Sequence, residues 1–103
     1  MYKKPEITQE EEISRIKKPE QGEIYARVDM MLGSDKLRVS CDDGKERIAR
    51  IPGKLRKRVW IRVGDIILIK PWDVQSDSRC DVTWRYTPTQ AKWLREKGFL
   101  KNI

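Results

Sequence analysis

The 103-residue chain has no histidine, only two cysteines, a single phenylalanine and no uninterrupted apolar run longer than Ile66-Ile67-Leu68-Ile69. Each scarcity removes a class of protein. Without histidine, the commonest general acid or base near neutral pH is missing. Cys41 and Cys80 form no CxxC pair, and together they cannot supply the four ligands of a Cys/His zinc site. Each lies in an alternating stretch, so they are expected as two buried reduced thiols rather than a disulfide. Four apolar residues cannot cross a bilayer, and no signal peptide or lipidation motif is visible, so a soluble cytoplasmic protein is expected. No nucleophile motif, P-loop or dinucleotide-binding glycine pattern is present. Asp42-Asp43 reads as a turn rather than a metal site. The expectation is a protein that is no enzyme, with no catalytic residue, no metal and no cofactor.

Positive charge is abundant, and it is local. The formal net charge is +7. Residues 1–20 are neutral, residues 21–44 carry −2 and residues 73–103 carry +2. Residues 45–72 hold nine basic groups and two acidic ones, which equals the whole excess. A solubilising surface would spread its charge, whereas a concentrated one raises the potential over a single patch and suits a polyanion. The densest stretch is RIPGKLRKRVWIRVGD, residues 50–65, in which Arg50, Lys54, Arg56, Lys57, Arg58 and Arg62 flank Val59-Trp60-Ile61.

Hydrophobic periodicity supplies the architecture. Residues 1–21 hold two prolines and ten charges, a composition that suits a mobile tail, although Thr8 with Glu11 has capping-box spacing for a short helix. In EIYARVDMML, Ile24, Ala26, Val28, Met30 and Leu32 alternate with Tyr25, Arg27 and Asp29, which predicts a half-buried strand. KLRVSC repeats the pattern, and DDGK at 42–45 is a hairpin signal with Gly44 free to take positive φ. ERIARI is a third strand, ended by Pro52-Gly53. KLRKR has room for about one helical turn. VWIRVGDIILIKPW resumes strand character, with a bend or bulge at Gly64-Asp65. RCDVTWRY alternates Cys80, Val82, Trp84 and Tyr86 against Asp81, Thr83 and Arg85. Thr87 as N-cap, Pro88, Gln90 and a closing Gly98 predict a helix over about 88–97. Five strands with a helical turn between the third and fourth predict an all-β fold with small α content. It is a five-stranded OB-fold barrel with a C-terminal helix, divided into a tail (1–21), a barrel (22–87) and a helical extension (88–103).

Arginine and lysine on such a barrel neutralise phosphates, and aromatic faces among them stack unpaired bases. If 59–63 is extended, Val59, Ile61 and Val63 enter the core and Trp60 stands beside Arg62 at the surface; alternatively Trp60 covers one end of the barrel. Trp84 alternates with the core set of its strand, and Trp93 packs the helix down. Trp72, after Pro71 at a strand end, suits either surface or core. Tyr25, Arg27 and Arg38 either widen the RNA-facing surface or are simply solvated.

The stretch CDDGKERIARIPGKLRKRVWIRVGDIILIKPWD, 41–73, closely resembles translation initiation factor 1A, the archaeal and eukaryotic relative of bacterial initiation factor 1. The tokens DDGKER, GKLRKRVWI and GDIILI occur in order, and DVTWRYTPTQAKWLREKGFL is similar to the family's last strand and helix. The resemblance spans roughly 22–100. It implies a factor that binds the small ribosomal subunit at the A site, helps recruit initiator tRNA and mRNA, and cooperates with the initiation factor 5B GTPase. It implies rRNA contacts at Lys54, Arg56, Lys57 and Arg58, with Trp60 and Arg62 beside them and Arg47 and Arg50 on the strand leading in. Eukaryotic members carry a basic glycine-rich N-terminal tail and a long acidic C-terminal tail; this chain has neither pattern, as suits an archaeal-type factor. Phe99, Leu100 and Ile103 either dock a partner or pack the helix. Two other readings remain for the basic barrel: a single-stranded RNA chaperone of cold-shock type, and a protein-interaction adaptor for an acidic partner. A monomer is the default.

Overall fold

A computed structural model of the chain describes residues 8–57 and 60–103. Among them are α1 (Gln9–Ser14), β1 (Ile24–Met31), β2 (Lys36–Cys41), β3 (Glu46–Arg50), α2 (Gly53–Arg56), β4 (Ile66–Pro71), β5 (Arg79–Arg85) and α3 (Pro88–Glu96). The strands close in the order β1-β2-β3-β5-β4, with β4 returning to β1. All neighbours are antiparallel except β3 and β5, which run parallel. Five strands, this closure and the helical turn between β3 and β4 are the expected OB-fold barrel.

Alternation fills the interior. Ala26, Val28, Leu37, Val39, Cys41, Ala49, Ile67, Ile69, Cys80 and Val82 form one buried cluster, capped by Ile51 and Ile61. Both cysteines are free, buried thiols. The run Ile66–Ile69 is buried throughout, because its two faces meet two cores. Ile67 and Ile69 look into the barrel, while Ile66 and Leu68 join Tyr86, Leu94 and Leu100 in a second cluster outside it.

α3 covers that second cluster. Thr87 and Gln90 make the expected reciprocal capping box. Residues 1–7 of the expected tail lie outside the described residues. From Thr8 onward the chain has a defined place: α1 lies against α3, Gln90 Nε2 donates to the Glu12 carbonyl at 2.9 Å, and the Tyr86 hydroxyl donates to the Lys17 carbonyl. At the other end, Leu100 and Ile103 pack on the second cluster. Asp42 Oδ1 accepts from Lys101 N at 2.8 Å and from Asn102 N at 2.6 Å.

Two irregularities shift the alternation expected from the sequence. In β1 the register slips between Val28 and Met30, so Met30 faces Arg38 and is exposed with Leu32 rather than entering the core. In β5, Val82 pairs Ile69 but Trp84 pairs Leu68. Thr83 is the extra residue, and beyond it Trp84 and Tyr86 share the outer face of Leu68. Tyr86 is covered by α3, whereas Trp84 remains 39% exposed. Trp84 is therefore an outer-surface residue, contrary to its expected place in the core set.

Candidate nucleic-acid interface

The basic turn hangs from the barrel by apolar anchors. Pro52 is the N-cap of α2, and its carbonyl accepts from Leu55 N at 3.0 Å and Arg56 N at 2.9 Å. Leu55 is half-buried and packs back against the core cluster. A single helical turn so pinned holds its other side chains outward, and Lys54, Arg56 and Lys57 are all exposed. Arg58 and Val59 lie outside the described residues.

Beyond the turn, residues 60–63 form a loop rather than the expected strand. Ile61 is buried in the core, while Trp60 is 76% and Val63 60% exposed. The placement of Val63 in the core is thus corrected. The reason is the reversal that follows it. Gly64 adopts φ +92°, its N–H donates to the Val28 carbonyl at 2.8 Å, and Asp65 Oδ2 accepts from Arg62 N at 2.8 Å. Arg85 Nε donates to the same oxygen at 3.1 Å. The chain turns before Val63 can reach the interior. Trp60 is left as a surface indole, with the Arg62 guanidinium 6.0 Å from its ring centroid, at the outer limit of a cation–π contact.

The structure therefore brings Lys54, Arg56, Lys57, Trp60 and Arg62 to one surface-exposed segment between β3 and β4. The two arginines of β3 have different surroundings. The Arg47 side chain is only 3% exposed. It grips Asp43 with two bonds, Nη1–Oδ1 at 3.0 Å and Nη2–Oδ2 at 2.9 Å, and its Nε donates to the Ser76 carbonyl at 2.6 Å. Hydrogen bonding to Asp43 raises the arginine further above its ordinary value and holds the carboxyl below its own. This guanidinium ties the β2–β3 hairpin to the β4–β5 loop and presents little to solvent. Arg50 is exposed but engaged: Nε and Nη2 donate to Asp81 Oδ1 and Oδ2 at 3.1 and 3.3 Å, and the guanidinium lies 5.7 Å from the Trp72 centroid.

Tyr25, which alternation allowed on an RNA face, is instead part of the second cluster. Its ring lies 5.9 Å from that of Tyr86. It pairs with Leu68 across β1–β4, so whatever covers Leu68 covers Tyr25. Arg27 pairs with Asp29 at 3.0 Å, and Arg38 is exposed. Trp72 donates its indole N–H to Asp81 Oδ1 at 3.0 Å. Asp81 lies 31 positions from the Arg50 it also engages, and this three-residue cluster has no signal in the linear sequence.

Fold and surface together define a basic OB barrel that carries cations and an exposed indole between its third and fourth strands, the make-up of an oligonucleotide-binding module. A family model described as Translation initiation factor 1A / IF-1 matches residues 10–102. The chain belongs to that family. It is 56% identical over 91 residues to a translation initiation factor 1A of Methanopyrus kandleri, covering 88% of this chain and 81% of that one. It is 50% identical over 93 residues to its namesake in Methanothermobacter thermautotrophicus, covering 90% and 94%. With that of Methanococcus aeolicus it shares 48% identity over 101 residues, covering 98% and 96%. Among solved structures, bacterial translation initiation factor 1 from the Wolbachia endosymbiont of Brugia malayi superposes with a TM-score of 0.50 at 25% identity, over 68% of this chain and 83% of that one.

Proposed function

We propose that this protein is a non-catalytic initiation factor that docks on RNA of the small ribosomal subunit at the A site. There it favours recruitment of initiator tRNA and mRNA in the cytoplasm, in cooperation with the initiation factor 5B GTPase. The observation that carries this reading is the set of exposed cations Lys54, Arg56 and Lys57, held off the barrel by Leu55 and Ile61 with Trp60 and Arg62 beside them. Cations on a stiff, core-anchored turn meet phosphates with little ordering cost, and Trp60 offers a stacking face to a base. The mechanism is electrostatic and steric: the barrel fills the cleft and keeps elongator tRNA out. Arg47 serves this surface indirectly, by fixing the hairpin beside it, and Arg58 is assigned to the patch on sequence grounds.

Anisotropy of the labelled protein on purified small subunits, challenged with excess unstructured RNA, tests the reading. Binding is expected to survive the challenge and to collapse in Arg56→Glu/Lys57→Glu, with circular dichroism unchanged. Each phosphate contact to single-stranded RNA contributes roughly −0.7 to the slope of log affinity against log salt, so the double variant should flatten that slope by about 1.4. Displacement by free RNA would favour a cold-shock-type RNA binder, and complexes that resist ribonuclease would favour an adaptor for an acidic protein.

A further inference from the structure

The RNA-docking reading makes no use of the segment that precedes the barrel. Within it, α1 has only six residues, too few for a helix to persist alone, and none of them is buried. Tertiary contacts alone give it its place. Gln9 and Ile13 face Thr89, Lys92, Trp93 and Glu96 of α3 across a gap, of which about 100 Å³ is unfilled. Ile16 continues their line onto the second cluster, to which Ala91, Trp93 and Leu94 belong. Helices that dock in apolar grooves anchor at i, i+4 and i+7. Here the first of those three positions is the polar Gln9, and the groove is left partly empty.

The bonds that hold the segment are not particular to it. Gln90 Nε2 donates to the Glu12 carbonyl, and the Tyr86 hydroxyl donates to that of Lys17. Both acceptors are backbone groups, which any peptide supplies. Charge narrows the choice of replacement. The first turn of α1 carries Glu10, Glu11 and Glu12, while Lys92, Arg95 and Lys97, on α3 and at its end, are exposed. Among the described residues no ion pair joins the two helices. Opposite charges are gathered there but not paired, which leaves the three cations for another acidic helix. A basic helix would be repelled by the same three groups.

We propose that α1 is a displaceable cover over a docking groove on α3, and that the groove receives an acidic amphipathic helix of a partner protein, with large apolar side chains at i, i+4 and i+7. The partner takes the seat of α1, fills the gap beside Trp93 and sets its carboxylates against Lys92, Arg95 and Lys97. Its affinity scales with the fraction of chains in which α1 is lifted. None of these residues belongs to the basic turn, so the inference stands or falls apart from the RNA-docking reading.

The test uses the full chain and a fluorescein-labelled 14-residue peptide of alanine and glutamate with leucine at i, i+4 and i+7. Two control peptides share its length: one scatters the leucines at the same charge, the other has lysine for glutamate. Anisotropy is expected to show binding of the first peptide only. Gln9→Leu, which completes the stripe of α1 and closes the gap, is expected to weaken that binding by about threefold or more. Ile13→Asp/Ile16→Asp, which unseats α1, is expected to tighten it by about fivefold or more, with far-ultraviolet dichroism as in the parent. In the unaltered protein, hydrogen exchange read by mass spectrometry is expected to rise over 9–18 and fall over 88–97 when the peptide is added, a readout that needs no variant. Equal binding of either control peptide overturns the proposal, as does protection over 53–62 in place of 88–97, the mark of an acidic peptide held by the basic turn. Parent-like affinity in both variants overturns it too. So does faster exchange over 9–18 on concentrating the protein alone, with a dimer in sedimentation velocity, which would give the seat to a second copy.

Discussion

Arg47 and Arg56 are the same residue type, nine positions apart, in opposite surroundings. The Arg56 guanidinium is exposed and free to exchange counterions for phosphates. That of Arg47 is shielded and bonded on both edges, to Asp43 and to Ser76. Arg47→Ala should therefore cost about 2–4 kcal/mol of stability in urea unfolding, and leave the salt slope of RNA binding unchanged. A flattened slope without lost stability would reverse that assignment. The thiols give a second prediction at this scale. Burial pushes Cys80 up to about 12 and raises Cys41 as well. A raised thiol pKa means that at pH 8 the native chain keeps both protons while the unfolded chain begins to lose them. Iodoacetamide labelling at pH 8, read by mass spectrometry, should thus proceed only as fast as the barrel opens.

At the scale of elements, the outer layer of α1, α3 and the N-terminal segment is held by named bonds. Thr87→Ala removes half of the α3 capping box and should cost about 1 kcal/mol in thermal unfolding. Deleting residues 1–18 removes the carbonyl acceptors of Tyr86 and Gln90 and the apolar cover of Ile16. It should lower stability by about 1–3 kcal/mol and change the near-ultraviolet dichroism of Tyr86. The barrel interior does not involve this segment, so far-ultraviolet strand content is expected to persist. The bulges belong to this scale too. A single inserted residue at Thr83 decides that Trp84 faces outward, and one at Asp29 does the same for Met30.

For the whole molecule, the lack of histidine has a thermodynamic consequence. No side chain with an ordinary pKa between pH 6 and 8 is present, so stability should be nearly flat across that range. Acid behaves differently. Bonding to Arg47 lowers the pKa of Asp43. At Asp29 burial acts upward, but bonds from Ser40 and Arg27 outweigh it and the net shift is down. With folded values below unfolded ones, the unfolded chain takes up protons first as pH falls. The stabilisation is full above the unfolded carboxylate value of about 4 and is lost on descent through the folded values. Thermal unfolding from pH 8 to 2 should show a plateau and then a fall below pH 4; a steep change between pH 6 and 8 would contradict it. Family membership and the patch of charge are likewise properties of the whole chain, and the salt dependence expected of the proposed RNA binding is their common readout.

Composition and period alone determined the barrel, the C-terminal helix, its capping box and the basic turn, because each rests on local chemistry: alternation, a glycine where φ is positive, a threonine three residues before a glutamine. Tertiary structure decided the rest. Val63 and Trp84 read as core because strict alternation carries no record of a reversal at Gly64 or an extra residue at Thr83. Arg47 and Arg56 read alike because charge in a sequence does not show which partner the fold brings near it. Tyr25 and the Trp72–Asp81–Arg50 cluster depend on strands far apart in the chain meeting side by side, and only closure of the barrel makes that contact.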